Sequence, residues 1–223
     1  MTAAVGVLAF ALVLYAVPVR RWFRSWGTTT DDLLRPMACD TAVVDPTYSA
    51  TLAITVNARP EHIWPWLLQL GYQRGGLYSY DWLDQLFGYL DRPSAVSILP
   101  EYQRLVVGDE IPVGRGGGFP VVAIEPYRAL VLGGIDEGFA WAWQFGIYAL
   151  SENRTRLVSR NRVRVRSSVG SWLLMRVVEP AAFLMTRRML HGLKQRAETL
   201  AAEDGITLQT DATRQPTHSH LNE

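Results

Sequence analysis

The spacing of apolar side chains divides the chain into stretches of different period. Ser49–Val56, "SATLAITV", alternates closely enough to predict a strand. Asn57–Pro60 follows as a helix start, with Pro60 near the first helical position and Glu61 in the first turn. The helix "EHIWPWLLQL" puts Ile63, Leu67 and Leu70 on one stripe with Trp66 beside it, and Pro65 is tolerable because it lies in the first turns. Gly71 ends that helix. A second helix fits "SYDWLDQLFG", with Ser79 as its cap and Asp81 near the positive end of its dipole.

After Pro100 the texture becomes strand and turn, with short connections that favour antiparallel hairpins. In 139–150 one face carries Phe139, Trp141, Trp143, Phe145 and Ile147, and the other Ala140, Ala142, Gln144, Gly146 and Tyr148. In 154–166 arginine fills every even position except Val158, opposite Thr155, Leu157, Ser159, Asn161, Val163 and Val165. Alternation this strong predicts a sheet with one covered and one wet face. From Pro180 to about Ala202, Thr186, Leu190, Leu193, Ala197 and Leu200 recur at helical spacing, predicting the amphipathic helix that covers it. Ser171–Val178 reads as a preceding turn or two, interrupted at Glu179-Pro180.

Thr2–Val19 has no charge and as a helix would span about 27 Å, close to the hydrocarbon core of a bilayer. Arg20, Arg21 and Arg24 follow, so the pattern predicts a single-pass cell-membrane anchor with the rest of the chain cytoplasmic; a cleaved signal peptide and a buried helix are the rivals. The organisation expected is an anchor over 1–25, a linker over 26–47, one domain over 48–203 and a disordered tail over 204–223.

The 223 residues carry a net charge of only +1, which argues against bulk nucleic-acid binding, yet the charge is uneven. Residues 40–150 sum to −6 and residues 151–196 to +9. Cys39 is the only cysteine, so no internal disulfide forms. The four histidines have no metal-like companions, and "GRGGG" at 114–118 lacks the Lys-Ser/Thr pair of a phosphate loop, so no metal or cofactor is expected.

The order strand, two short helices broken by glycines, antiparallel strands and one long helix, with "IWPWLLQLGYQRGGLYSYDWL", "PVVAIEPYRALVL" and "VVEPAAFLMTRRMLHGLKQRAE", resembles the START-like helix-grip superfamily over about Tyr48–Ala202. That superfamily (often called SRPBCC) includes polyketide cyclases/dehydrases and lipid-transfer proteins, and the strings above resemble an uncharacterised bacterial branch of it. The resemblance implies an α+β fold, a curved antiparallel sheet gripping the C-terminal helix around an apolar cavity, here behind a transmembrane helix. Since fold does not decide activity, function must come from the site.

On that reading the glycines of 71–76 let the chain reverse, and the rings around them gate the cavity mouth. The expected ligand-contacting residues are Trp66, Tyr78, Tyr80, Trp82, Phe139, Trp141, Trp143, Phe145, Ser159, Asn161 and Met189. Tyr78, Tyr80 and Asp81 are the candidates for acid–base work, each also readable as ordinary structure. Arg160, Arg162 and Arg164, with Arg20, Arg21 and Arg24, make the expected contact with anionic lipid. The function expected is binding of a hydrophobic or amphipathic small molecule, lipid or polyketide-like, at the cytoplasmic face of the membrane. A cyclase/dehydratase and an interaction module without a ligand are the alternatives.

Overall fold

The computed structural model describes residues 18–136, 138–165 and 169–214. Among the described residues three short helices come first, α1 (Arg20–Arg24), α2 (Thr30–Leu34) and α3 (Ala38–Ala42). Strand β1 (Tyr48–Val56) leads to α4 (Pro60–Leu68) and α5 (Asp81–Leu86). The remaining strands are β2 (Glu110–Pro112), β3 (Gly118–Glu125), β4 (Ala129–Asp136), β5 (Phe139–Ser151) and β6 (Arg154–Val165), followed by α6 (Val169–Arg214). The sheet is antiparallel throughout, in the order β1-β6-β5-β4-β3-β2. β1, the first strand, forms one edge of the sheet beside the last strand, β6. This is the helix-grip arrangement.

The inner face of the sheet packs on α4 and α6. Leu52, Val56, Leu130, Leu132, Phe145, Leu157 and Val163 meet Ile63, Leu67, Phe183, Leu190, Leu193 and Ala197 in one core. The α6 stripe predicted from period 3.6 is therefore the stripe that is buried. The helix runs longer than its stripe, through Pro180, whose missing N–H removes one internal bond. It also covers residues 204–214 of the expected tail; residues 215–223 lie outside the described residues.

Four expectations are corrected by the structure. The outer face of the sheet is not wet over the middle of β1, β5 and β6. Ala53, Ala140, Ala142 and Val158 form a second core with Met37, Cys39 and Val43. Nor are residues 26–47 a linker. α2 opens with a capping box, in which Thr29 Oγ1 accepts from the Asp32 N–H at 3.2 Å while Asp32 accepts from the Thr29 N–H at 2.8 Å. α3 then lies against β5 and β6, where the small side chains of Ala140 and Ala142 let a backbone approach.

The arginines of β6 are the third correction. Arg160 is 4% exposed, and its guanidinium donates to Asp40, to Thr51 Oγ1 and to the carbonyls of Asp32, Leu33 and Arg35. Arg156 holds Asp32, and Arg162 holds Asp40 and the Val43 carbonyl. Of the three β6 arginines expected on lipid, Arg160, Arg162 and Arg164, only Arg164 stays exposed, donating to the Val44 carbonyl. Among the described residues the arginine side of β6 is not a flat cationic face, because residues 32–43 occupy it.

The fourth is the transmembrane helix, with the single-pass cytoplasmic-face location built on it. No helix among the described residues is long and apolar enough to cross a membrane, and residues 2–17 of the uncharged stretch lie outside the described residues. Arg20 and Arg24, read as the charges flanking a span, instead pair with the buried Glu179 of α6 at 2.7 and 2.5 Å. Phe23 stacks on Phe183 at 4.5 Å between ring centroids. α1 is thus part of the folded domain.

Candidate functional site

The inner face of β5 carries a row of rings whose exposure falls stepwise along the strand. Phe139 is 43% exposed, Trp141 half-buried, Trp143 8% exposed and Phe145 fully buried. Phe119 of β3 packs beside the row, 4.7 Å from Trp141 and 5.9 Å, edge-on, from Trp143. Trp143 in turn lies 4.7 Å from Phe145. Val165, partly buried, stands opposite Phe139 at the end of β6. Period 2 alone places these rings on one side; the twist and the helix decide which of them are sealed.

Ser159 and Asn161, expected as ligand contacts, already have partners. Trp143 Nε1 donates to Ser159 Oγ at 2.8 Å, and Trp141 Nε1 donates to Asn161 Oδ1 at 3.0 Å. Trp143 stands opposite Asn161 and Phe145 opposite Ser159, so both bonds are diagonal contacts, within reach of a long side chain. They satisfy the indole donors, which would otherwise be costly in an apolar wall. The row is therefore a preformed aromatic surface whose two indole donors are already satisfied.

The other expected contacts do not join this row. Trp66 and Tyr78 are buried together, edge to face with ring centroids 5.9 Å apart, and the Arg196 guanidinium sits 4.6 Å from the Tyr78 ring centre. Met189 is buried in the core and Trp82 is 66% exposed. Tyr80 is half-buried under Arg188, in an open cleft with His191 and Lys194.

The glycine-rich reversal is a fixed plug. Gly71 and Gly76 adopt φ of +120° and +90°, and each N–H donates to the other's carbonyl at 3.0 and 3.1 Å. Buried Gln69 donates to the Ser97 carbonyl and accepts from the Leu99 N–H, fastening the loop beyond it. Arg74 donates to the carbonyls of Leu68 and Leu70 at the end of α4, and burial pushes its guanidinium below its ordinary range. Tyr72 and Tyr78 are buried by this arrangement, so the expectation that they stand at a mouth is not met.

The acid–base candidates are likewise engaged. Asp81 accepts from the Ser94 N–H at 3.0 Å and from Ser94 Oγ at 2.6 Å, while Ser94 Oγ accepts from the Tyr78 N–H at 3.1 Å. This chain of bonds holds Tyr78 at φ +56°. Burial pushes the Tyr78 phenol well above its usual range, away from useful proton transfer at neutral pH. A buried carboxylate that the sequence reading missed is Asp84, which accepts from Ser79 Oγ and is pushed upward by burial. Ser79 thus serves Asp84 and caps nothing, Tyr80 standing at the N-cap instead. The signal was a serine and two acids within six residues.

No family model matches the chain, and no curated protein matches it by sequence. Similar solved structures include a protein of Thermus thermophilus, at 14% identity and TM-score 0.40 over 69% of this chain and 99% of that one. A point mutant of norcoclaurine synthase from Thalictrum flavum, in complex with a transition-state analogue, is 14% identical with a TM-score of 0.40 over 71% and 96%. Zhui aromatase/cyclase from Streptomyces sp. R1128 is 14% identical with a TM-score of 0.39 over 68% and 93%. At that identity neither substrate nor activity carries across.

Proposed function

We propose that the chain binds a hydrophobic or amphipathic small molecule, lipid or polyketide-like in character, at the open end of the grip. The observation that supports this most is the graded row on β5, buried at Phe145 and open at Phe139 and Trp141. A large ring left half in water is stabilised by covering the rest of its surface, and each such ring buries about 150–250 Å² when covered. Phe119 beside Trp141 and Val165 opposite Phe139 extend the apolar surface. The indoles are fixed by Ser159 and Asn161, so the surface is organised before a guest arrives, which lowers the ordering cost of binding.

Binding is favoured over cyclisation because the acid–base candidates do not converge on this surface. Tyr78 is buried beside Trp66, both oxygens of Asp81 are committed to Ser94, and Tyr80 lies in a separate cleft.

Titration of the full chain with the neutral probe N-phenyl-1-naphthylamine tests the reading. Saturable fluorescence enhancement is expected, with Trp141→Ala weakening it by about tenfold for the loss of one large contact surface. A linear, non-saturating response, or an unchanged affinity in the variant, sinks the proposal.

A further inference from the structure

A second cleft lies away from the aromatic row, where α1 and the α2–α3 segment meet the outer faces of β1 and β6. Its volume is about 570 Å³, within the range of small-molecule sites. Arg20, Arg21, Arg24, Arg35, Arg160 and Arg162 line it, with Asp40 the only carboxylate among the lining residues. Ser49 and Thr51 add hydroxyls, and Leu33 and Leu34 make an exposed apolar edge.

The arginines are held in place but only partly neutralised. Arg160 spends three of its bonds on the carbonyls of Asp32, Leu33 and Arg35, and Arg162 spends one on that of Val43. A carbonyl satisfies a donor but carries no net charge. The carboxylates present are shared: Asp40 between Arg160 and Arg162, and Glu179 between Arg20 and Arg24. Six cations therefore face two carboxylates. Two buried donors remain without a partner, Nη2 of Arg24 and Nε of Arg35, although each guanidinium also rests on a ring, that of Tyr48 at 5.0 Å and that of Tyr148 at 4.2 Å. The Arg21 guanidinium, exposed on α1, has no partner among the described residues.

Confining so many guanidinium groups in one concavity is unfavourable unless an anion spends part of its time there. We infer that this cleft is a binding site for a multiply charged oxyanion, the phosphate group or groups of a phosphorylated small molecule. Guanidinium forks match phosphate oxygens in geometry as well as charge, and the bonds from Arg20 and Arg24 to Glu179 run through Nε. The site exists only because the N-terminal segment folds onto the sheet, and it does not rest on the reading of the aromatic row.

Isothermal titration of the full chain with inorganic pyrophosphate at low and physiological salt is the test. One saturable site is expected, weakening as salt rises. Arg24→Gln, which leaves Arg20 on Glu179, is expected to weaken it about tenfold through loss of a charge-assisted donor. Arg21→Gln, at an exposed position that does not threaten folding, is expected to cost about threefold. Arg115→Gln, in the exposed β2–β3 turn, is expected to change nothing. Equal losses in Arg21→Gln and Arg115→Gln would mean attraction to bulk charge and overturn the site. Absence of saturable pyrophosphate binding overturns it too. So does binding confined to phosphatidylglycerol vesicles at matched phosphate concentration, because the headgroup surface would then be the partner.

Discussion

Arg160 Nη1 and Asp40 Oδ2 meet at 2.7 Å, although 120 residues separate them in the chain. This contact ties the N-terminal helices to the last strand, and it converts a row of arginines from a surface feature into the floor of a cleft. Arg160→Ala removes the buried member of this pair and strands the carbonyls of Asp32, Leu33 and Arg35, while Asp40 keeps Arg162. The expected loss is about 3–5 kcal/mol in chemical denaturation, at about 1–3 kcal/mol for each buried acceptor left unsatisfied. Faster proteolysis within 26–42 should accompany it.

Asp32 and Asp84 should bend the pH–stability curve in opposite directions. For Asp32, burial alone would raise the carboxyl, but Arg156 and the Thr29 capping bonds together hold it below its ordinary 3.8. An acid lowered on folding contributes stability above its unfolded value, which is lost as pH falls through the folded one. Asp32→Asn should therefore be less stable at pH 7 and flatter below about pH 4. Denaturant midpoints between pH 2.5 and 7 measure this.

For Asp84, burial outweighs the bond from Ser79, and the nearby Asp81 adds to the upward shift. The native state then holds its proton more tightly than the unfolded chain does. Stability accordingly falls as pH rises from 3.8 through the folded value. Asp84→Asn should abolish that fall and be no less stable at pH 7. A midpoint that drops at pH 7 in the variant contradicts the assignment.

Cys39 is fully buried, and burial raises its thiol to about 12. The thiolate is the reactive form, so the native protein should react negligibly with a disulfide reagent at pH 8 and stoichiometrically once unfolded. Reaction of the native protein at the unfolded rate would mean that α3 does not stay docked.

Gly192 on α6 lets the helix pass over the Tyr78 carbonyl, which an added Cβ would overlap. Gly192→Ala should cost about 1–3 kcal/mol as overpacking, or more if the helix cannot shift, despite alanine's better helix propensity. A stabilised variant would show that the plug is looser than its contacts imply.

The sequence by itself determined the periodic elements. Alternation marked β1, β5 and β6, Pro60 and Gly71 bounded α4, and the spacing of Leu190, Leu193 and Ala197 marked the buried stripe of α6. The rings of β5 were assigned to one face for the same reason: a period is a local property, and backbone geometry converts it directly into a side. The ends of α6 were less legible, because Pro180 reads as a break although its neighbours Glu179 and Phe183 are both buried against α1.

Only the tertiary structure decided what covers the outer face, and with it the fate of the arginines. Arg160 is satisfied largely by carbonyl oxygens, and every residue carries one whatever its side chain, so no residue pattern announces that partner. The same holds for Ser159 and Asn161, whose indole partners are set by diagonal register across two strands. Local pattern fixes which side of an element a residue faces; which polar groups remain free on that side depends on chain segments brought there from more than a hundred residues away.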